Sequence, residues 1–476
     1  MADTTTSSTT NVHAFAQDAL GDRDATGVAA AIRTGEISAT EAVEAAIARS
    51  NKVEERLNAL MYRDFDRARV RAAEPQPGAF SGVPMLFKDN IPVGGLPMTE
   101  GSRAMPHSPI EKDGCVADQY RRTGLIAIGT STMPEFGWTA STETLAYQTH
   151  NPWNLDYSAG GSSGGSAAYV AAGVVPIAHG NDGGGSIRIP AACCGLVGLK
   201  PTRGRLRTNE GNRTMPVRIV SDSVLARSVR DVAGFFADAE RVHHNRLLPR
   251  MGLVDQPIDR PLRIGIMVDS PVAPPSDPQT RAAVEDLGHL LESLGHQVEP
   301  YTLPLTDSFQ DDFSDYWKLL ALLASRLGPL MFGKAFDREL LEPLTLGLAK
   351  GGRRSLLRAP IYLPRLLATG ITSRREFHRG PEVVLTPVLT QTTYRLGHFS
   401  PDLDPDEHFQ RLLDLCGFTP LANAAGTPAI SLPTGSTDDG RPIGTMLSAT
   451  HGAEPLLLRL ALQIEQAQPW RRIQDQ

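Results

Sequence analysis

The chain is predicted to be an α/β protein, one large α/β/α domain in which helices cover a mixed central sheet. Three observations predict this. The first is bulk: 476 residues, 41% hydrophobic and 21% charged, are enough for a sizeable core and exclude wholesale disorder. The second is the stretch 82–201, rich in Gly, Ser, Thr and Pro, where short apolar runs such as Val83-Pro84-Met85-Leu86-Phe87 and Leu125-Ile126-Ala127-Ile128 read as buried strands between turns. The third is a strand–helix–strand pattern over 262–268, 280–294 and 297–301, which favours parallel pairing with helical cover.

Taken in order, residues 1–20 read as a flexible N-terminal tail and 21–476 as the domain. The start has no basic end and no apolar stretch, so no secretory signal is expected. Ser38 followed by Glu41 fits a capping box, and Ala42, Val43, Ala46 and Ile47 recur at helical spacing. A second helix is predicted over 59–73. A small-residue helix over 166–172 ends at Gly173, and a strand over 174–178 follows. Residues 312–380 read as apolar helices interrupted at Gly and Pro, within a variable region of about 305–380. Strands return at 383–385, 429–432 and 444–447, and a last helix covers 454–466.

Composition also excludes functions. A formal charge of −6 gives no basic footprint for nucleic acid, and Arg353-Arg354 read as solvated surface. Four cysteines make no disulfide framework, and without a CxxC pair no zinc site is expected. No run of about 20 apolar residues occurs, so no spanning helix is expected. A cytoplasmic protein without membrane or nucleic-acid partners is the expectation.

Within 82–201 lie three chemically suggestive segments. Ser162 sits in Gly160-Gly161-Ser162-Ser163-Gly164-Gly165-Ser166. Ser186 follows it by 24 positions in Asn181-Asp182-Gly183-Gly184-Gly185-Ser186-Ile187-Arg188-Ile189-Pro190. Lys88 ends the apolar run Met85-Leu86-Phe87. A serine hydroxyl is a poor nucleophile until a base takes its proton, and a lysine can serve if burial lowers its pKa. Three glycines before Ser186 let the backbone approach a ligand closely, and the N–H groups of Gly183, Gly184, Gly185 and Ser186 could form an oxyanion hole. Taken singly, each piece is ordinary: lone lysines are solvated charges and glycine–serine runs are flexible turns. Gly160, Ser162 and Gly164 also satisfy G-x-S-x-G, the nucleophile elbow, but His398, His408 and His451 sit in no convincing context as its base. Phosphate-loop and dinucleotide fingerprints are absent.

Together these segments resemble the amidase signature family. The core match covers about 82–201, and Asn151-Pro152-Trp153-Asn154, Gly195-Leu196-Val197-Gly198-Leu199-Lys200-Pro201 and Asn423-Ala424-Ala425-Gly426-Thr427-Pro428-Ala429 extend it. The resemblance implies the amidase signature fold and a Ser–cisSer–Lys triad. Ser186 matches the nucleophile, Ser162 the bridging serine after a non-proline cis peptide, and Lys88 the base. No metal or organic cofactor is implied. Ser163 is the rival bridge, but the interval to Ser186 favours Ser162. Asp182 and Arg188 would brace the loop. Asn181 stands where many members carry a threonine supporting the bridge, so an amide hydrogen bond to it is expected instead. Gly183, smaller than the usual Thr or Ile, implies a looser or roomier loop.

The resemblance implies hydrolysis of amides. The aromatic Phe136, Trp138 and Trp317, with 133–138 and helices in 315–370, suggest a pocket for apolar or aryl amides, with carbamates and esters as further substrates. The expected partner is such a small molecule, and a homodimer the expected assembly. Two alternatives remain: an amidotransferase component that works with partner chains on misacylated transfer RNA, and a non-catalytic scaffold of the same fold.

Overall fold

A computed structural model describes residues 11–303 and 307–475. Its centre is an eleven-stranded mixed sheet. Across the sheet the strands run Leu60–Arg63, Ile126–Ser131, Pro84–Lys88, Ile177–Asp182, Ser221–Ala226, Val197–Lys200, Ala429–Ser436, Pro442–Ala449, Val383–Pro387, Arg263–Ile266 and Gln297–Pro300. The Lys88 strand pairs in parallel with the strands on either side of it. Ile177–Asp182 then pairs antiparallel with Ser221–Ala226. Flanking helices cover the sheet, and one hydrophobic cluster runs from Val12 to Trp470.

Local sequence explains most elements. The capping box forms: Glu41 N–H donates to Ser38 Oγ at 3.1 Å, and Ser38 N–H donates to Glu41 Oε2 at 2.7 Å. An earlier helix, Ala25–Thr34, was not anticipated. Its signals were Asp24, which accepts from Gly27 N–H, and Gly35, which ends it in the left-handed region at φ 74°.

Several expectations are corrected. The helix over 59–73 is split: Leu60–Arg63 is an antiparallel strand and only Phe65–Ala72 is helical. Pairing with Ile126–Ser131 at the sheet edge overrides the helical pattern. The strand expected over 174–178 begins later, at Ile177, because Pro176 has no N–H to give the ladder. Asn181 and Asp182 therefore belong to the strand. Residues 11–20, expected within the tail, are packed: Val12 and Ala14 are buried and donate backbone hydrogen bonds to Pro152 and Ala172. Residues 1–10 lie outside the described residues.

The 312–380 region forms two long helices, Asp307–Met331 and Pro343–Arg379. Pro360 and Pro364 lie inside the second without ending it. Its packing against the first is close at Gly352, where a Cβ would meet Lys318 O at 2.3 Å. A second hydrophobic cluster, including Trp138, Tyr316, Leu348 and Tyr362, fills the space between these helices and the sheet. Among the described residues no helix is long and apolar enough to cross a membrane.

Candidate active site

Lys88 is the last residue of a fully buried strand, and its own side chain is fully buried. Its Nζ donates to Ser162 Oγ at 2.6 Å and to Asn181 Oδ1 at 2.7 Å. Burial pushes its pKa down to about 7, and the charges of Glu100, Asp182 and Asp222 only partly oppose this. A buried ammonium sheds its proton because the low-dielectric interior cannot replace water. The Lys88 N–H donates to His179 Nδ1 at 3.2 Å, and His179 Nε2 lies 3.2 Å from Asp222 Oδ1. That pair fixes the strand end from which the lysine projects, and no sequence motif anticipates it.

Ser162 follows a cis peptide bond from Gly161. Gly137, at φ 70°, presses on its hydroxyl; a Cβ there would lie 2.9 Å from Ser162 Oγ. Ser163, the rival, donates instead to Asn181 O at 3.3 Å and does not reach the lysine. Asn181 corrects an expectation. It accepts from the lysine rather than donating to the serine, because Lys88 Nζ brings only donors.

Ser186 lies in the loop between the Asn181 strand and the helix Arg188–Cys194, and it borders a cavity. Among the described residues no hydrogen bond joins its hydroxyl to Ser162, so the lysine–serine link is formed and the serine–serine link is open.

The loop is braced by a buried ion pair. Arg188 Nε donates to Asp182 Oδ2 at 2.8 Å and Nη2 to Oδ1 at 2.9 Å. Burial pushes Asp182 up, but Arg188 outweighs it and holds the carboxyl well below the usual range. Asn423 completes the brace, donating to Asp182 Oδ1 at 2.8 Å and accepting from Arg188 Nη2 at 2.7 Å. Its segment was visible in the sequence as a motif, without a role.

The oxyanion expectation needs one correction. Gly185 N–H donates to Asp182 Oδ1 at 2.7 Å and is not free. Among the described residues, the N–H groups of Gly183, Gly184 and Ser186 donate to no protein acceptor. Gly185 serves by its backbone: at φ 139° it turns the chain, with Thr419 Oγ1 only 2.6 Å from where a Cβ would stand. Gly183 does not leave the loop roomier, because Val220 and Trp317 fill the space above it.

The cavity at Ser186 has a volume of about 730 Å³. Its walls are Trp138, Phe313, Trp317, Phe409, Leu412 and neighbouring apolar groups, and no charged side chain lines it. Trp317 stacks on Phe313 at 5.7 Å and meets Trp138 edge-on at 5.4 Å. Phe136, expected here, packs on Phe332 instead. Of the helical stretch 315–370 only Trp317 contributes; residues 309–314 and 409–421 supply the rest.

None of the three histidines considered for an elbow hydrogen-bonds to either serine. His408 is held by Thr139 Oγ1 at 2.8 Å. The four cysteines are free, with Cys193 and Cys194 buried. Among the described residues no group of three or more His, Cys, Asp or Glu side chains could hold a metal ion.

Comparison with known proteins is consistent across the chain. The family model described as Amidase matches residues 41–458. A Mycobacterium leprae protein, AmiC, named as a candidate amidase, is 46% identical over 97% of this chain and 99% of its own. The solved structure of a 6-aminohexanoate cyclic dimer hydrolase superposes with a TM-score of 0.86 at 32% identity, covering 96% of this chain and 99% of that one. A glutamyl-tRNA(Gln) amidotransferase chain from Synechococcus is 33% identical over 94% or less of either partner, covering 92% of this chain and 95% of its own.

Proposed function

Because this chain belongs to the amidase family, we propose that it is a serine amidohydrolase for uncharged, apolar or aryl amides, working through an acyl-enzyme on Ser186. The observation that carries this reading is the buried hydrogen bond from Lys88 Nζ to Ser162 Oγ, beside a cavity that Ser186 borders. Neutral Lys88 accepts the Ser162 proton while Ser162 takes that of Ser186. Ser186 Oγ attacks the carbonyl carbon, and the Gly183, Gly184 and Ser186 N–H groups stabilise the oxyanion. Each such donor is worth about 3–4 kcal/mol where charge develops. The proton returns through Ser162 to the leaving nitrogen as the C–N bond breaks. Water, deprotonated by the same relay, then releases the acid.

The apolar cavity supports the substrate class. Burying a charged group there without a partner would be costly, so neutral amides fit and free glutamine does not. The same attack on a carbamate or ester carbonyl extends the proposal to urethanes and esters. The uncharged walls disfavour the amidotransferase reading, which needs a site for a charged amino acid. A scaffold reading is disfavoured because the lysine is buried at a hydroxyl rather than solvated.

The test is a hydrolysis panel of anilides, long-chain amides, carbamates and glutamine, run with the wild type and Ser186→Ala. Anilides or long-chain amides should lead, and Ser186→Ala should abolish turnover. Preference for glutamine, or undiminished Ser186→Ala activity, would overturn the proposal.

A further inference from the structure

The cavity at Ser186 has a neighbour. A second cavity of about 970 Å³ lies against it, and the side chains of Phe309 and Leu421 line both. These two residues form the partition. The chemistry changes across it. No charged side chain lines the Ser186 side, whereas Asp312, Arg365 and Glu376 and the hydroxyls of Thr369 and Thr372 wall the far side. Asp312 is engaged, with Arg365 Nη1 3.5 Å from its Oδ1. Glu376 is half-buried, and among the described residues its carboxylate makes no hydrogen bond or ion pair.

We infer that the two cavities form one elongated substrate site, selective for acyl amides whose apolar chain ends in a cationic or hydrogen-bond-donating group. The inference rests on the amidase reading above. The scissile carbonyl sits at Ser186, and the chain next to it is covered by aromatic walls. A chain long enough to pass Phe309 and Leu421 delivers its far end to a polar chamber. A methyl end there would displace water from a carboxylate and hydroxyls and return nothing. An ammonium end pairs with Glu376. The polarity gradient along the site thus matches an ω-amino acyl chain better than a plain one.

The experiment compares kcat/KM of the purified full chain on acyl p-nitroanilides of graded length, each made with a methyl end and with an ω-amino end. Beyond the length that passes the partition, the ω-amino member should be favoured about tenfold, as for a charge-assisted hydrogen bond. Glu376→Gln should return that ratio toward unity. Because both substrates meet the same enzyme, a general loss of folding or turnover cancels from the ratio. Leu421→Trp, which narrows the partition, should lower the long-to-short ratio in both series. Short chains hydrolysed with no ω-amino preference at any length, or a preference that Glu376→Gln leaves unchanged, would overturn this inference alone. No hydrolysis of any acyl anilide would overturn the amidase reading and this inference with it.

Discussion

Asn181 Oδ1 accepts a hydrogen bond from Lys88 Nζ at 2.7 Å, so the lysine has two oxygen partners, one neutral amide and one hydroxyl. A neutral acceptor orients the amine without stabilising the ammonium as a carboxylate would. Asn181→Asp should therefore raise the Lys88 pKa by about 1–3 units, as an adjacent opposite charge does. The acid limb of the pH–rate profile should move up accordingly, and activity at neutral pH should fall at least about tenfold. Asn181→Ala should lower kcat/KM without moving the limb upward. An unmoved limb in Asn181→Asp would remove the amide from this role.

For the wild type the sign is the reverse of a solvated lysine. Burial lowers the Lys88 pKa to about 7, so the active, neutral form gains population as pH rises through that value. The profile of kcat/KM should rise through about pH 7 and then level, as read from initial rates on a neutral anilide. Activity already maximal at pH 5 would contradict Lys88 as base.

Ser162 and Ser163 are adjacent, and only the first touches the lysine. Ser162→Ala should cost about 10²–10⁴ in acylation rate, the range for lost acid–base relay. Ser163→Ala should cost less than about tenfold, since it loses one long hydrogen bond to a backbone carbonyl. Fluorophosphonate labelling with mass mapping should place the adduct on Ser186 in both variants. A larger loss in Ser163→Ala would exchange their roles.

Gly185→Ala tests the loop. Its φ of 139° disfavours any side chain, and the added methyl would meet Thr419 Oγ1. Turnover should fall by about 10² or more, the cost of misplacing an oxyanion donor. Arg188→Met tests the brace in a different way. It leaves Asp182 buried without its cation, a loss of about 3–5 kcal/mol readable as a lower denaturant midpoint.

The chain made the chemistry legible and the walls illegible. Lys88, Ser162 and Ser186 stand in local motifs whose spacing carries their order. The direction of the Asn181 hydrogen bond does not, because its partner arrives from another strand. Gly183, Gly184 and Gly185 are the same residue three times, and only the position of the Asp182 carboxylate shows which N–H is taken. The strand Leu60–Arg63 is set by its edge partner rather than by its own pattern. Trp138 and Trp317 were legible as cavity aromatics, while Phe409 and Leu412 come from a segment with no motif at all.

That division of the cavity walls has an evolutionary consequence. The reacting groups occupy 88–186, whereas Phe309, Phe313, Trp317 and the 409–421 stretch belong to parts of the chain that carry none of them. Substrate range and chemical machinery are thus inherited on separate segments. A lineage can exchange the leucines and aromatics of those walls and acquire new diets while the hydrolytic engine stays intact.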